Sequence, residues 1–180
     1  MTDRSHPTDP TGPSDPDPMG AAQVALNEIR RERLRTAAER IRLTAPAVSD
    51  AARTGADPQS GERWDRGQFL AHVAEMLPYW AEQAELVAAG GNGIPFGRVK
   101  SDPQRIAAIE HDRRDDPEAL LDRIDQGVDQ VIALLDRFSP AELAQTGTHP
   151  TRGEMSVTRL VDEFVIDHLE EHAEQIEQAG

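Results

Sequence analysis

Two histidines, His168 and His172, stand four residues apart in FVIDHLEEHAEQI (164–176). If this segment is helical, both imidazoles share one face, with β-carbons about 5–6 Å apart. Rings so placed reach a single metal ion. The spacing alone is common and says little; the placement says more. Both histidines continue an apolar stripe made by Val157, Leu160, Val161, Phe164, Val165, Leu169 and Ile176. A helix this polar has ample outward positions for histidine, yet these two point inward.

His72 repeats the anomaly. It shares an apolar helical face with Phe69, Val73, Met76, Leu77 and Trp80. Three inward imidazoles from two helices make a three-nitrogen site. Structural zinc usually fills four positions with protein ligands, so three leave a place for water or substrate. Imidazole suits zinc, nickel, copper or iron alike. The competing reading is three separate core histidines, each with its own hydrogen bond, and spacing leaves both readings open. Glu75, Asp167 and Glu171 are candidate partners for the free ring nitrogens. His149 and Arg152, in the loop THPTRGEM, are candidates for the mouth of such a site, although an exposed loop histidine is the plainer expectation. Trp64, Tyr79 and Trp80 read as core or staple residues, and His6 and His111 as solvated.

These residues need elements to hold them, and the apolar spacing is helical almost throughout. A first stripe runs through Leu26, Ile29, Leu34, Ala37 and Ile41; Pro46 interrupts it, and Thr44 is placed to cap a short piece carrying Val48. RTGADPQSGER (53–63) reads as a loop. A second helix covers about 65–89, with a kink expected at Pro78, and GGNGIPFGR (90–98) ends it. A short helix follows at about 103–111, capped by Ser101 or Asp102. The third long helix has Asp116 as cap and Pro117 in its first turn. Leu120, Leu121, Ile124, Val128, Val131, Ile132, Leu135 and Phe138 form its face. SPAEL (139–143) starts one or two turns more, and a fourth long helix runs from about Ser156 to Gln178. No segment alternates with period two, so no sheet is expected. The fold class is all-α, a four-helix bundle with short helices in its long loops.

Composition narrows the function. The chain has 180 residues and a formal net charge of -14. Its bases, all arginine except Lys100, are interleaved with acids, so no basic stripe faces a nucleic acid or an anionic membrane. No apolar run approaches the roughly 20 residues of a spanning helix, and no signal-peptide core opens the chain; a cytoplasmic location is expected. Cysteine is absent, so any thiol chemistry needs an external thiol. Residues 1–19, rich in Pro, Asp, Ser and Thr, read as a disordered tail, and residues 20–180 as one domain.

The segments WDRGQFLAHVAEM (64–76) and HPTRGEMSVTRLVDEFVIDHLEEHAEQI (149–176) together resemble the DinB-like superfamily. The shared pattern is a Trp, a helix with one His, a later loop ending in Gly, and a helix with His-x-x-x-His. The resemblance implies an up-down-down-up four-helix bundle, often dimeric. It implies a divalent metal, commonly zinc or nickel, at His72, His168 and His172. It also implies relatives that transfer low-molecular-weight thiols, bacillithiol or mycothiol, or that isomerise maleylpyruvate with mycothiol. The bias toward arginine leans to mycothiol. Isomerase relatives usually carry an additional C-terminal domain, whereas this chain stops after its fourth helix, a departure that argues against isomerase activity. The leading expectation is a metal-dependent thiol transferase acting on a small electrophile. Metal-dependent hydrolysis, or a non-catalytic metal- or ligand-binding dimer, are the alternatives.

Overall fold

The computed structural model describes residues 18–56 and 61–179. The expected tail lies outside the described residues as far as residue 17, and helix is already present from Pro18. The elements are α1 (Pro18–Thr44), a 3-10 turn (Ala45–Ala47), α2 (Arg66–Gly90), β1 (Ile94–Pro95), α3 (Pro103–Asp112), α4 (Pro117–Arg137), α5 (Pro140–Ala144), β2 (Thr146–His149) and β3 (Gly153–Ser156). The last helical run has three parts: α6 (Val157–Val161), a π-helical stretch (Asp162–Asp167) and α7 (His168–Glu177).

Short polar side chains start these helices by satisfying the free N–H groups of the first turn. Asp65 accepts from the Gln68 N–H at 2.8 Å while the Gln68 side chain accepts from the Asp65 N–H, a reciprocal pair that fixes the start of α2. Ser139 and Glu142 do the same for α5. Asp102 caps α3 and Asp116 caps α4. Thr44 is an exception to expectation: its side chain makes no cap bond. The 3-10 turn instead begins with buried Ala45 and the ring of Pro46.

Helix α2 packs chiefly against α4 and the α6–α7 run, and α1 packs against the same two neighbours. The first two long helices are therefore diagonal across the bundle. Leu34, Ile41, Phe69, Leu77, Leu121 and Leu160 are among the fully buried side chains between them. No helix among the described residues is long and apolar enough to cross a membrane.

The expectation of no sheet is wrong. A small three-stranded sheet exists in the order β1-β2-β3, with β1 parallel and β3 antiparallel to β2. Its strands are two to four residues long, and the two buried positions of β2 are Gly147 and His149. Burial does alternate there, but through residues that carry no hydrophobic signal. Gly147 is required by close approach: a β-carbon would lie 2.6 Å from Phe96 Cδ1 and 2.8 Å from the Ile94 carbonyl oxygen.

The expected face of α1 also needs correcting at its N-terminal half. Leu26 and Ile29 are exposed, and Asn27 and Arg30 are buried instead. Specific partners decide this. The Asn27 amide donates to the Leu135 carbonyl at 2.8 Å, and Arg30 forms a two-pronged pair with Asp162 at 2.7 and 2.8 Å. Arg33 reaches Asp167 at 2.7 Å and Glu170 at 2.6 Å. Asp162 and Asp167 are the two ends of the π-helical stretch, so two arginines of α1 brace it. The wider turn re-phases the last helix. Val165 and Ile166, adjacent in sequence, are both buried, and the core face continues through Leu169, Ala173 and Ile176. Phe164 and His168 are left half-buried at the edge of that face.

Arg30→Met is expected to destabilise the protein by about 2 kcal/mol, because it strands Asp162 beside the core. In thermal unfolding this is a fall of roughly 4–8 °C for a chain of this size. Arg40→Ala, which removes an exposed pair with Glu177, should change stability by less than about 1 kcal/mol. Equal losses in the two variants would contradict the bracing role.

Candidate metal centre

His72 comes from the second turn of α2, and His168 and His172 from the first two turns of α7. The structure brings one ring nitrogen of each within 4.8 Å of the others. The His168 and His172 Nε2 atoms are 3.1 Å apart. His72 and His172 are 4% and 2% exposed, and His168 is half-buried.

Ring orientation is set by the other nitrogen. His172 Nδ1 lies 2.9 Å from Gln175 Oε1, an acceptor, and so carries the proton. His168 Nδ1 lies 3.4 Å from the Glu171 carboxylate, and the same reasoning places its proton there. Both Nε2 atoms then present lone pairs to each other. Such an approach is repulsive unless a proton or a cation lies between them. His72 adds a second anomaly: both of its ring nitrogens are buried with no hydrogen-bond partner among the described residues. An orphaned buried polar atom costs about 1–3 kcal/mol. A divalent cation would use all three lone pairs, and two ligands of a tetrahedral zinc ion lie about 3.3 Å apart. The donor set therefore fits a metal ion.

The partners expected from sequence are partly replaced. Glu171 is placed as expected. Glu75 instead pairs with Arg98 at 2.6 Å, and Asp167 with Arg33. Each is drawn to the nearer guanidinium, a stronger partner than an imidazole. Gln175 was missed, although its i+3 spacing from His172 was a readable signal.

The remaining walls are aromatic. The Trp64 ring is 4.6 Å from that of His72, and Phe69 meets His172 edge-on at 5.6 Å. Trp64 is anchored by buried Thr54, which receives its N–H at 3.0 Å and donates to its carbonyl at 2.9 Å. A cleft of about 500 Å³ opens beside the histidines, and Trp64, Trp80, His149, Arg152, Phe164 and Arg98 help to line it. Trp64 and Trp80 thus serve the cleft as well as the core. His149 is buried, not exposed: its ring sits against Phe96 and Phe164 at 5.5 and 4.9 Å. Its Nδ1 accepts from the Thr151 and Arg152 backbone N–H groups at 3.3 and 3.2 Å, which shapes the β2–β3 turn. Gly97, with φ +78°, permits this packing, since a β-carbon there would sit 2.4 Å from His149 Cδ2. His111 is solvated as expected and pairs with Asp112 at 2.6 Å.

Burial, followed by repulsion from His172, His168, Arg105 and Arg98, holds His72 well below the ordinary imidazole range. Burial also lowers His149, with Arg152 adding to the effect; the Arg98 backbone opposes it without reaching hydrogen-bonding geometry.

Residues 27–176 match the family model of the DinB superfamily. Among curated proteins, none matches the sequence significantly. Solved structures do. One is YfiT from Bacillus subtilis, described as a probable metal-dependent hydrolase with an unusual four-helix bundle topology. It aligns with a TM-score of 0.66 and 15% identity over 85% of each chain. Another is the mycothiol-dependent maleylpyruvate isomerase, with a TM-score of 0.58 and 14% identity. Its alignment covers 86% of this chain and 60% of the isomerase. At such identities the likeness is one of fold.

As pH falls, an unfolded imidazole takes up a proton near 6.5 while folded His72 does not. The stability linked to His72 is therefore fully present above about pH 6.5. It is lost as pH drops toward the folded value, by at most about 1.4 kcal/mol per pH unit. Denaturant unfolding of chelator-treated protein between pH 7.5 and 5.0 should show a steeper loss for the wild type than for His72→Leu. Equal slopes would remove His72 as the source.

Proposed function

The chain belongs to the DinB superfamily, and we propose that it is a metal-dependent transferase that activates a low-molecular-weight thiol at His72, His168 and His172. The observation that carries this reading is the convergence of three imidazoles, two buried and one half-buried, on the floor of a cleft of about 500 Å³, with both nitrogens of His72 unsatisfied among the described residues. When bound there, a divalent ion, zinc or nickel, would favour the thiolate form of an incoming thiol at neutral pH.

The chain's own residues perform the rest. Gln175 and Glu171 hold the His172 and His168 rings with their Nε2 lone pairs directed inward. Trp64 and Phe69 cover the histidines and keep water from their apolar sides. The open side faces the cleft, where an electrophile would lie against Trp80 and Phe164, which stack at 4.3 Å. His149 fixes the turn carrying Arg152 at the cleft mouth, so that Arg152 orients the bound molecules.

An external thiol, mycothiol or bacillithiol, suits a chain without cysteine, and mycothiol dependence is named for the isomerase. Hydrolysis is the second reading, favoured by the more complete alignment with YfiT. We read the protein as cytoplasmic and dimeric, acting on small molecules without a nucleic-acid or membrane partner. The exposed apolar side chains Val24, Leu26 and Ile29 of α1 support a second copy as neighbour.

Protein purified without chelator is expected to contain about one metal ion per chain, and His168→Ala and His172→Ala are expected to lose it. Metal-free protein that takes up neither zinc nor nickel would sink the proposal. With cobalt at the site, adding mycothiol or bacillithiol should shift the visible absorption. A cobalt spectrum unmoved by either thiol would favour hydrolysis or a binding role.

A further inference from the structure

One cleft of this acidic chain gathers more bases than acids in its lining. The formal net charge is -14, yet the cleft beside the histidines is lined by Arg98, Lys100, Arg105 and Arg152 against the carboxylates Glu163 and Glu171. Glu163 is itself matched by Arg159 at 2.5 Å.

Arg105 is committed to the Lys100 carbonyl at 3.0 Å and lies 3.9 Å from Glu62, whereas Arg98 is fixed with donors to spare. Its side chain is 11% exposed. The guanidinium lies 3.7 Å from the centroid of the Tyr79 ring, and Nη2 donates to Glu75 at 2.6 Å. Nε and Nη1 bond no described residue and are not sealed from solvent. The backbone beneath is held in place: the Gly97 N–H donates to Gln83 Oε1 at 2.7 Å, and the Phe96 N–H to the Thr148 carbonyl at 3.2 Å. Arg152, on the β2–β3 turn, is exposed and has no ion pair among the described residues. A half-committed guanidinium, desolvated on one side and open on the other, is a strong donor for an oxyanion.

We propose that this wall is a subsite for a carboxylate carried by the ligand of the histidine centre, with Arg98 as its anchor and Arg152 engaging it from the turn. The planar fork of Arg98 suits the two oxygens of a carboxylate. Glu171 in the same lining weighs against a polyphosphate, whose larger charge it would repel. As a statement about the substrate of the metal centre, this rests on the proposed function; as an anion site, it does not need the metal.

The test uses the full chain, stripped of metal by chelator, titrated at low salt with succinate and with uncharged succinamide by calorimetry. Succinate should bind about tenfold or more tightly than succinamide, the order expected for one charge-assisted pair. Arg98→Gln should weaken succinate about tenfold, Arg98→Lys less, and Arg152→Gln severalfold, while Arg137→Gln, remote on the surface, should leave it unchanged. Circular dichroism checks that each variant folds; if Arg98→Gln does not, exposed Arg152→Gln carries the test. Equal binding of succinate and succinamide would overturn the subsite. So would wild-type affinity in the folded arginine variants. Inorganic phosphate binding about tenfold tighter than succinate would overturn the choice of carboxylate. Succinate binding by a protein that, in a separate titration, takes up neither added zinc nor added nickel would uphold the subsite while removing the metal reading.

Discussion

Two imidazole nitrogens held 3.1 Å apart, beside a third ring with no hydrogen-bond partner among the described residues, form an arrangement that a folded core does not keep without a reason. Burial makes it more severe, because an unpaired polar group costs more in a low-dielectric surround than at the surface. The surrounding structure reads as the means of holding it. Gln175 and Glu171 set the tautomers, Thr54 pins Trp64 against His72, and the capping pair of Asp65 and Gln68 fixes where α2 begins, two turns before that histidine. The phase of α7 depends on the π-helical stretch just before it, and wide turns of this kind recur at functional sites.

Charge explains why the brace lies where it does. The bases of α1 do not form a separate solvated face. Arg30, Arg33 and Arg40 reach the last helical run, and Arg31 and Arg42 reach α4. The interleaved charges of the sequence are therefore largely interhelical. Arg30 with Asp162 differs from the rest in depth, being 10% exposed on the arginine side. Taken with the arginines of the cleft, the pattern sets one pocket lined by several bases within a molecule whose exterior is net acidic.

Much of the bundle was legible beforehand, and the reasons for the misses are specific. Proline and Asp or Ser starts located α3, α4 and α5 because cap chemistry is local. The periodic apolar face of α4 was read correctly because that helix packs through one stripe. Alpha1 was misread at Leu26 and Ile29, since its buried positions there are an amide and a guanidinium whose partners stand more than 100 residues away. The sheet was invisible because its strands are only two to four residues long and glycine and histidine occupy the inward positions of β2. The burial of His149 followed from the same sheet, and local sequence suggested only an exposed loop.

The sequence by itself determined the long helices, the starts of α3, α4 and α5, and the helical faces that carry His72, His168 and His172, because periodicity and capping act over a few residues. Only the tertiary structure decided that the three rings meet. It also decided that Glu75 and Asp167 turn to arginines instead of histidines, and that Arg98 and Arg152 come to one cleft with them. Those outcomes depend on the π-helical re-phasing and on contacts between distant segments. Pairing energies between distant groups, unlike helical phase, have no signature in the spacing of neighbouring residues.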